Sequence, residues 1–191
     1  GRAHNLARLD EAQARRVILR LDNVLAVETG TQDIVCALNF SYWLLTKRAA
    51  LLAYFRRVRD SLKPDGVFFL DAYGGYDAYR LTAEERVIQG DQGLFTYIWD
   101  QAHYDPISGR LICHIHFAFK DGSRLEQAFS YDWRLWSLPE IRELLAEAGF
   151  GRVLCYWQGW DAQGEPDGIF VPVEEGEPEA GWIAYLTAER S

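Results

Sequence analysis

Four polar residues follow apolar runs of the sequence and are candidates for ligand binding. Asp22, Asn23, Asn39 and Asp71 each come after a run that predicts a strand. In open parallel sheets, ligands bind outside the carboxyl ends of the strands. A carboxylate or amide followed by Val24 offers a side-chain acceptor and a backbone N–H, which match the amino group and a ring nitrogen of adenine. The alternative for Asp22 and Asn23 is an ordinary turn pair.

A second set of candidates lies among the Tyr, Trp and His residues of the segment 76–135. Strand alternation places His114 and His116 on one face. One interpretation is a pocket whose His or Tyr removes a proton from a bound acceptor. The other is that these aromatic side chains only pack the segment onto the rest of the fold. With Glu126 on the neighbouring strand, the two histidines also have the arrangement of a cupin-like metal site, but a small β-barrel would not explain the helices predicted on both sides.

Composition predicts one folded, soluble domain. Of the 191 residues, 49% are apolar and 14% aromatic, which is enough for one buried core. The formal charge of −8 argues against nucleic acid as a partner, because phosphate binding needs clustered Lys and Arg. Three widely separated cysteines fit a reducing compartment, and no apolar run reaches the ~18 residues of a membrane span. We therefore expect a cytoplasmic protein that does not bind membranes.

The elements that must position these residues alternate between helix and strand. Apolar spacing and capping signals predict helices at 4–16, 46–62 and 138–149. Apolar runs predict strands at 16–21, 33–38, 67–70, 153–158 and 182–187. The run 33–38 has no polar alternation, which indicates a strand covered on both faces. This order predicts an α/β fold with parallel strands in the main sheet.

Residues 76–135 interrupt that order. Residues 76–90 are polar and are predicted to be helical or irregular. Three strands separated by hairpin turns follow, at 93–104, 110–119 and 124–135. We expect an antiparallel meander inserted into the α/β fold. Residues 159–179, rich in Gly, Pro and acids, are predicted to form a loop.

Four parts of the sequence resemble class I S-adenosylmethionine-dependent methyltransferases. They are Asp22-Asn-Val24, the loop Ala37-Leu-Asn-Phe-Ser-Tyr-Trp43, the turn Leu62-Lys-Pro-Asp-Gly66 after a helix, and the segment Leu138-Pro-Glu-Ile-Arg-Glu-Leu-Leu-Ala-Glu-Ala-Gly-Phe150. The resemblance covers roughly residues 1–75 and 136–190. It implies a Rossmann-like sheet, S-adenosyl-L-methionine as cofactor, and transfer of its methyl group to an acceptor.

The resemblance also implies roles for individual residues. Asp22 or Asn23, with Val24, would contact the adenine. The amino acid part of the cofactor would contact the loop formed by Ala37, Leu38, Asn39 and Phe40. Candidates for the acceptor pocket are Tyr42, Tyr73, His114, His116 and Trp133. Methyl transfer from a sulfonium is an in-line displacement, so positioning can supply most of the rate without a general base.

One part of the family pattern is absent from the sequence. Members carry an earlier strand with a Gly-rich loop, whose glycines let the backbone approach the ligand, and a strand whose final acid holds the ribose. No Gly-x-Gly pattern precedes residue 22, and the sequence begins at Gly1 and contains no Met. We therefore expect a fragment, or a sequence that has lost residues, without the N-terminal strands of the sheet.

The sequence thus predicts three regions within one domain. These are a partial cofactor-binding α/β region at 1–75, an antiparallel insertion for acceptor recognition at 76–135, and a helix with strands that complete the sheet at 136–191. The predicted function is methyl transfer to a small-molecule acceptor, since the negative charge disfavours nucleic acid. The alternative is a truncated or degenerate domain that binds a partner without activity. The sequence leaves the formation of a homo-oligomer open.

Overall fold

Two β-sheets form the framework of the protein in the computed structural model. The structure describes residues 4–91, 93–164 and 166–190; residues 1–3 and 191, at the outer ends of the predicted regions, lie outside that description. None of the helices in these ranges is long and apolar enough to cross a lipid bilayer. The helices are α1 (Glu11–Ala14), α2 (Arg48–Asp60) and α3 (Leu138–Ala148). The strands are β1 (Gln32–Ala37), β2 (Leu62–Gly74), β3 (Thr82–Gly90), β4 (Gly93–Asp105), β5 (Arg110–Phe119), β6 (Arg124–Arg134), β7 (Arg152–Trp160), β8 (Pro166–Val173) and β9 (Trp182–Glu189).

The main sheet has the strand order β1-β2-β9-β7-β8. The α/β fold is confirmed, but among the strands of the described residues only the pair β1 and β2 is parallel. Strand β9 inserts between β2 and β7 and is antiparallel to both, and β8 is antiparallel to β7. The predicted parallel strands of the main sheet are therefore confirmed for β1 and β2, and the prediction was wrong for β7, β8 and β9. No helix in the described ranges follows α3, and antiparallel neighbours need no helical crossover.

Helices α2 and α3 contribute buried apolar side chains to the core. Leu51 and Phe55 of α2 are fully buried, which agrees with the predicted three- and four-residue spacing. The capping signal predicted for the start of α3 is confirmed as a capping box, since Ser137 and Glu140 exchange side-chain and backbone hydrogen bonds. Gly149 ends α3 with φ 94°, a left-handed conformation that glycine adopts without strain.

The second sheet, which we call the insertion sheet, has the order β3-β4-β5-β6. All neighbouring pairs are antiparallel, so the predicted meander is confirmed. The prediction for 76–90 holds for the short 3-10 helix at Tyr76–Tyr79, but it was wrong for Thr82–Gly90, which forms β3. Strand β3 lies at the edge of the sheet and is mostly exposed. Edge strands carry charged and polar residues, so the sequence of β3 lacks the apolar pattern from which a strand is predicted.

Four other predictions differ from the structure. The loop 159–179 contains β8, whose Ile, Phe and Val residues lie between Gly and Pro. The helix at 4–16 is reduced to a 3-10 turn and α1, neither of which contains a buried residue. The run 16–21 forms no strand. Strand β1 is not covered on both faces among the described residues: it lies at an edge of its sheet, and Ile34 is 64% exposed.

Candidate functional site

Asp71 lies in β2 beside the loop that follows β1, just past the last paired residues of the two strands. Its carboxylate accepts the backbone N–H of Asn39 at 2.7 Å and that of Phe40 at 2.9 Å. Asp71 is only 8% exposed. Burial raises the pKa of its carboxyl group, and the hydrogen bonds from Phe40 and Asn39 oppose that rise. Hydrogen bonds to an ionised acceptor are about twice as strong as neutral ones, so this carboxylate fixes the loop that follows β1.

The loop after β1 has a strained backbone. Asn39 and Phe40 have φ values of 56° and 53°, in the left-handed region that Asn tolerates and Phe rarely adopts. Successive N–H groups in such a turn form an anion-binding concavity, and here the anion is the Asp71 carboxylate. Strained backbone of this kind persists only where the surroundings enforce it, and it is concentrated at functional sites.

Aromatic side chains pack around this loop. The hydroxyl of Tyr42 donates to the backbone carbonyl of Asp71 at 2.7 Å, and burial raises the pKa of that hydroxyl. The Phe40 ring has its centre 5.1, 5.0 and 6.2 Å from the rings of Trp43, Tyr73 and Trp133. Tyr42 and Trp133 are almost fully buried. These two residues, predicted for the acceptor pocket, therefore pack around the loop inside the protein and expose little surface to a ligand.

Tyr73 connects this aromatic cluster to the insertion sheet through Gln101. The Tyr73 hydroxyl donates to Gln101 Oε1 at 3.2 Å. Gln101 Nε2 donates to the backbone carbonyls of Asp77 and Arg80 at 3.0 and 2.9 Å. Gln101 lies on β4 and is 5% exposed, so both ends of its amide are used inside the protein. The insertion sheet is thereby fastened to the end of β2 by a buried polar network.

Asp22, Asn23 and Val24 lie in a turn that precedes β1. The Asp22 carboxylate pairs with Arg20 at 2.7 Å, and Asn23 Oδ1 accepts the N–H of Leu25 at 2.9 Å. Val24 lines a cavity of about 540 Å³ along the edge of β1, whereas Asp22 and Asn23 do not. Of these three residues, the structure therefore places only Val24 at a cavity beside β1. This strand leads into the loop of residues 37–40, which we call the Asn39 loop.

His114 and His116 lie on one face of β5, with ring centres 6.0 Å apart. His114 Nδ1 is hydrogen-bonded to the Ser130 hydroxyl at 2.8 Å. His116 lies between the carboxylates of Glu126 and Asp100, and its Nε2 is 3.4 Å from Asp100. In residues 4–91, 93–164 and 166–190, no group of three or more His, Cys, Asp or Glu side chains is arranged to hold a metal ion. These contacts give the cupin-like interpretation no support.

Solved structures match the fold of this chain, although no protein-family model and no curated protein matches the sequence. The CcbJ methyltransferase of Streptomyces caelestis has 14% identity and a TM-score of 0.68, over 97% of this chain and 72% of that one. An S-adenosylmethionine-dependent methyltransferase of Clostridium acetobutylicum has 18% identity and a TM-score of 0.65, over 94% and 68%. The sugar N-methyltransferase KedS8 of Streptoalloteichus has 17% identity and a TM-score of 0.55, over 89% and 61%. The chain has the methyltransferase fold.

Within this methyltransferase fold, the sequence had indicated part of the site. Asp71 was a candidate because it ends an apolar run, but its role in holding Asn39 and Phe40 was not predicted. That role depends on β1 and β2 being parallel neighbours, which brings their carboxyl ends together. Gln101 was missed entirely, because a glutamine inside a predicted strand gives no signal that its amide is buried and fully bonded.

Proposed function

We propose that this protein is an S-adenosylmethionine-dependent methyltransferase that acts on a small-molecule acceptor. The observation that carries the proposal is the strained loop at the end of β1, held by the buried carboxylate of Asp71 in a methyltransferase fold. Ligands of open α/β sheets bind outside this edge. S-adenosylmethionine, when bound, supplies a methyl group activated by its attachment to a sulfonium.

The exposed atoms of the loop are the proposed contacts for the amino acid part of the cofactor. The backbone N–H groups of Asn39 and Phe40 already donate to Asp71. The side chains of Leu38 and Asn39 are exposed. An amide both donates and accepts hydrogen bonds, which suits an α-ammonium and an α-carboxylate. Asn39 would therefore contact the cofactor, while Ala37, Phe40 and Asp71 set the position of the loop.

The adenine end is proposed to lie toward the turn that contains Val24. The cavity lined by Val24 is also lined by Cys36 of β1, one residue before the loop begins. Apolar side chains provide most of the lining of ordinary small-molecule sites, and this cavity has Val24, Ile34 and Val35 among its walls. Asp22 and Asn23, directly before Val24, remain candidates for contact with the adenine amino group.

The acceptor is proposed to bind between the Asn39 loop and the insertion sheet. Tyr73 is only partly buried, and Gln101 fixes its orientation from the insertion side. KedS8 is a sugar N-methyltransferase, and this likeness supports a small-molecule acceptor for the present chain. Because the displacement is in line, the proposed contribution of these residues is to hold the acceptor atom against the methyl group.

Isothermal titration calorimetry with S-adenosylmethionine and S-adenosylhomocysteine tests the proposal. Micromolar binding of both, with adenosine binding at least tenfold more weakly, would support it. Absence of heat up to millimolar ligand would overturn it for this chain. That outcome would favour the second candidate, a binding domain without methyl transfer.

A further inference from the structure

A second cavity, of about 380 Å³, lies between the chain leading into α2 and the β5–β6 hairpin. It is separate from the cavity lined by Val24, and none of the residues discussed for cofactor binding lines it. Its wall includes the side chains of Lys47, Ser108, Arg110, Asp132, Trp133 and Arg134. Three of these six are cationic and one is acidic, in a chain whose formal charge is −8.

The two arginines of this cavity are held in place by acids of their own. Arg110 forms two hydrogen bonds with the Asp132 carboxylate, at 2.8 and 2.7 Å. Arg134 bonds to Glu140 at 2.8 Å, and its guanidinium lies 3.7 Å above the Trp136 ring. A guanidinium has five N–H donors, so each retains donors that these carboxylates do not use.

Lys47 supplies the charge that no acid balances. Among the described residues it has no ion pair, whereas both arginines do. Lys47 is also the N-cap of α2, where the helix has neither a side-chain cap nor an acidic residue in its first turn. Helices usually place Ser, Thr, Asp or Asn at this position, because the positive end of the helix dipole favours acceptors and anions. A lysine there adds to the positive potential of the cavity.

We propose that this cavity binds an oxyanion, namely the phosphate or carboxylate group of a small molecule. Lys47 provides a compact point charge, and Arg110 and Arg134 provide oriented N–H donors. Trp133 lines the cavity, and its ring centre is 6.2 Å from that of Phe40. The site thus adjoins the aromatic cluster of the Asn39 loop, but it needs neither cofactor nor methyl transfer to bind its ligand.

The experiment is a titration of the chain with inorganic phosphate at low ionic strength, followed by NMR chemical shifts or calorimetry without cofactor. We expect saturable binding that Lys47→Gln weakens at least threefold. The matched control is Lys63→Gln, which removes the same charge from a lysine paired with Asp33 outside the cavity. Phosphate affinity should be unchanged in that variant.

Two results would overturn the site. One is the absence of saturation, and the other is an equal loss of affinity in both lysine variants, which would indicate general charge attraction. A parallel titration with acetate shows whether the site accepts carboxylates as well as phosphate. If acetate binds with the same dependence on Lys47, the site accepts carboxylates; if only phosphate does, it is specific for phosphate. Because no cofactor is present, these outcomes are independent of the calorimetry with S-adenosylhomocysteine.

Discussion

The carboxylate of Asp71 accepts the backbone N–H of Phe40 at 2.9 Å, across 31 residues of sequence. This bond, together with the one from Asn39, connects β2 to the loop after β1. The aspartate accepts hydrogen bonds from two backbone N–H groups that would otherwise have no partner in the left-handed turn. The same two hydrogen bonds give the buried carboxylate the partners that it needs. The shape of the proposed cofactor loop therefore depends on one side chain that need not touch the cofactor.

We expect Asp71→Asn to weaken binding of S-adenosylhomocysteine by at least tenfold. An asparagine can accept only through its oxygen, and its NH₂ group would meet one of the two N–H donors. Hydrogen bonds to a charged group contribute about 1.5–3 kcal/mol, so losing one would release the loop. Calorimetry measures the affinity. Asp65→Asn, at an exposed position of the same strand, is the control and should bind normally; unchanged binding by Asp71→Asn would remove its positioning role.

Asn39→Gly separates the side chain of Asn39 from its backbone. Glycine adopts a φ of 56° without strain, so the loop and its bonds to Asp71 should persist. We expect the free energy of unfolding to change by less than about 1 kcal/mol, and the affinity for S-adenosylhomocysteine to fall about tenfold if the amide makes a hydrogen bond to the cofactor. Urea unfolding and calorimetry on the same samples provide both values. A normal affinity in a stable variant would show that the side chain is not a contact.

The sequence predicted elements well where their apolar residues are buried. The helix at 46–62 and the strands at 67–70 and 182–187 all contribute to the core, so their spacing records burial directly. Strands β3 and β8 were missed because they lie at sheet edges and expose most of their residues. An edge strand needs little apolar surface, and its pattern is then indistinguishable from that of a loop.

The candidate site was less predictable than the fold. The ends of the apolar runs could be read from the sequence, which brought Asn39 and Asp71 into consideration, although β2 continues past Asp71 to Gly74. Which donor meets which acceptor depends on strand order and register, and neither is encoded in local periodicity. Tyr42 and Trp133 illustrate the limit: their types suit an acceptor pocket, yet they are 2% and 3% exposed.

Gln101→Leu should destabilise the protein by more than about 2 kcal/mol, because each buried polar group left without a partner costs about 1–3 kcal/mol. Leucine has a similar volume but leaves the carbonyls of Asp77 and Arg80 and the hydroxyl of Tyr73 without their partner. Tyr73→Phe removes only one of these bonds and is expected to cost less. Urea unfolding gives both differences. Equal effects of the two variants would mean that the carbonyl bonds contribute little.

Glu140 should make the stability of the protein depend on pH in acid. Burial works to raise the pKa of this carboxyl group, but the hydrogen bonds from Ser137 and the charge of Arg134 outweigh it, so the pKa lies below its ordinary value of 4.5. A carboxyl group whose pKa is lower in the folded state stabilises the fold while it is ionised. That stabilisation is present above about pH 4.5 and is lost as the pH falls through the folded-state pKa.

The measurement is urea unfolding between pH 3 and pH 7 for the parent chain and for Glu140→Gln. The two should differ most at neutral pH, and the difference should shrink as the pH falls below about 4.5. Glu143→Gln removes a carboxylate from an exposed position of the same helix and serves as the control; its difference from the parent should be small throughout. A difference between Glu140→Gln and the parent that stays constant from pH 7 to pH 3 would mean that the charge of Glu140 does not stabilise the start of α3.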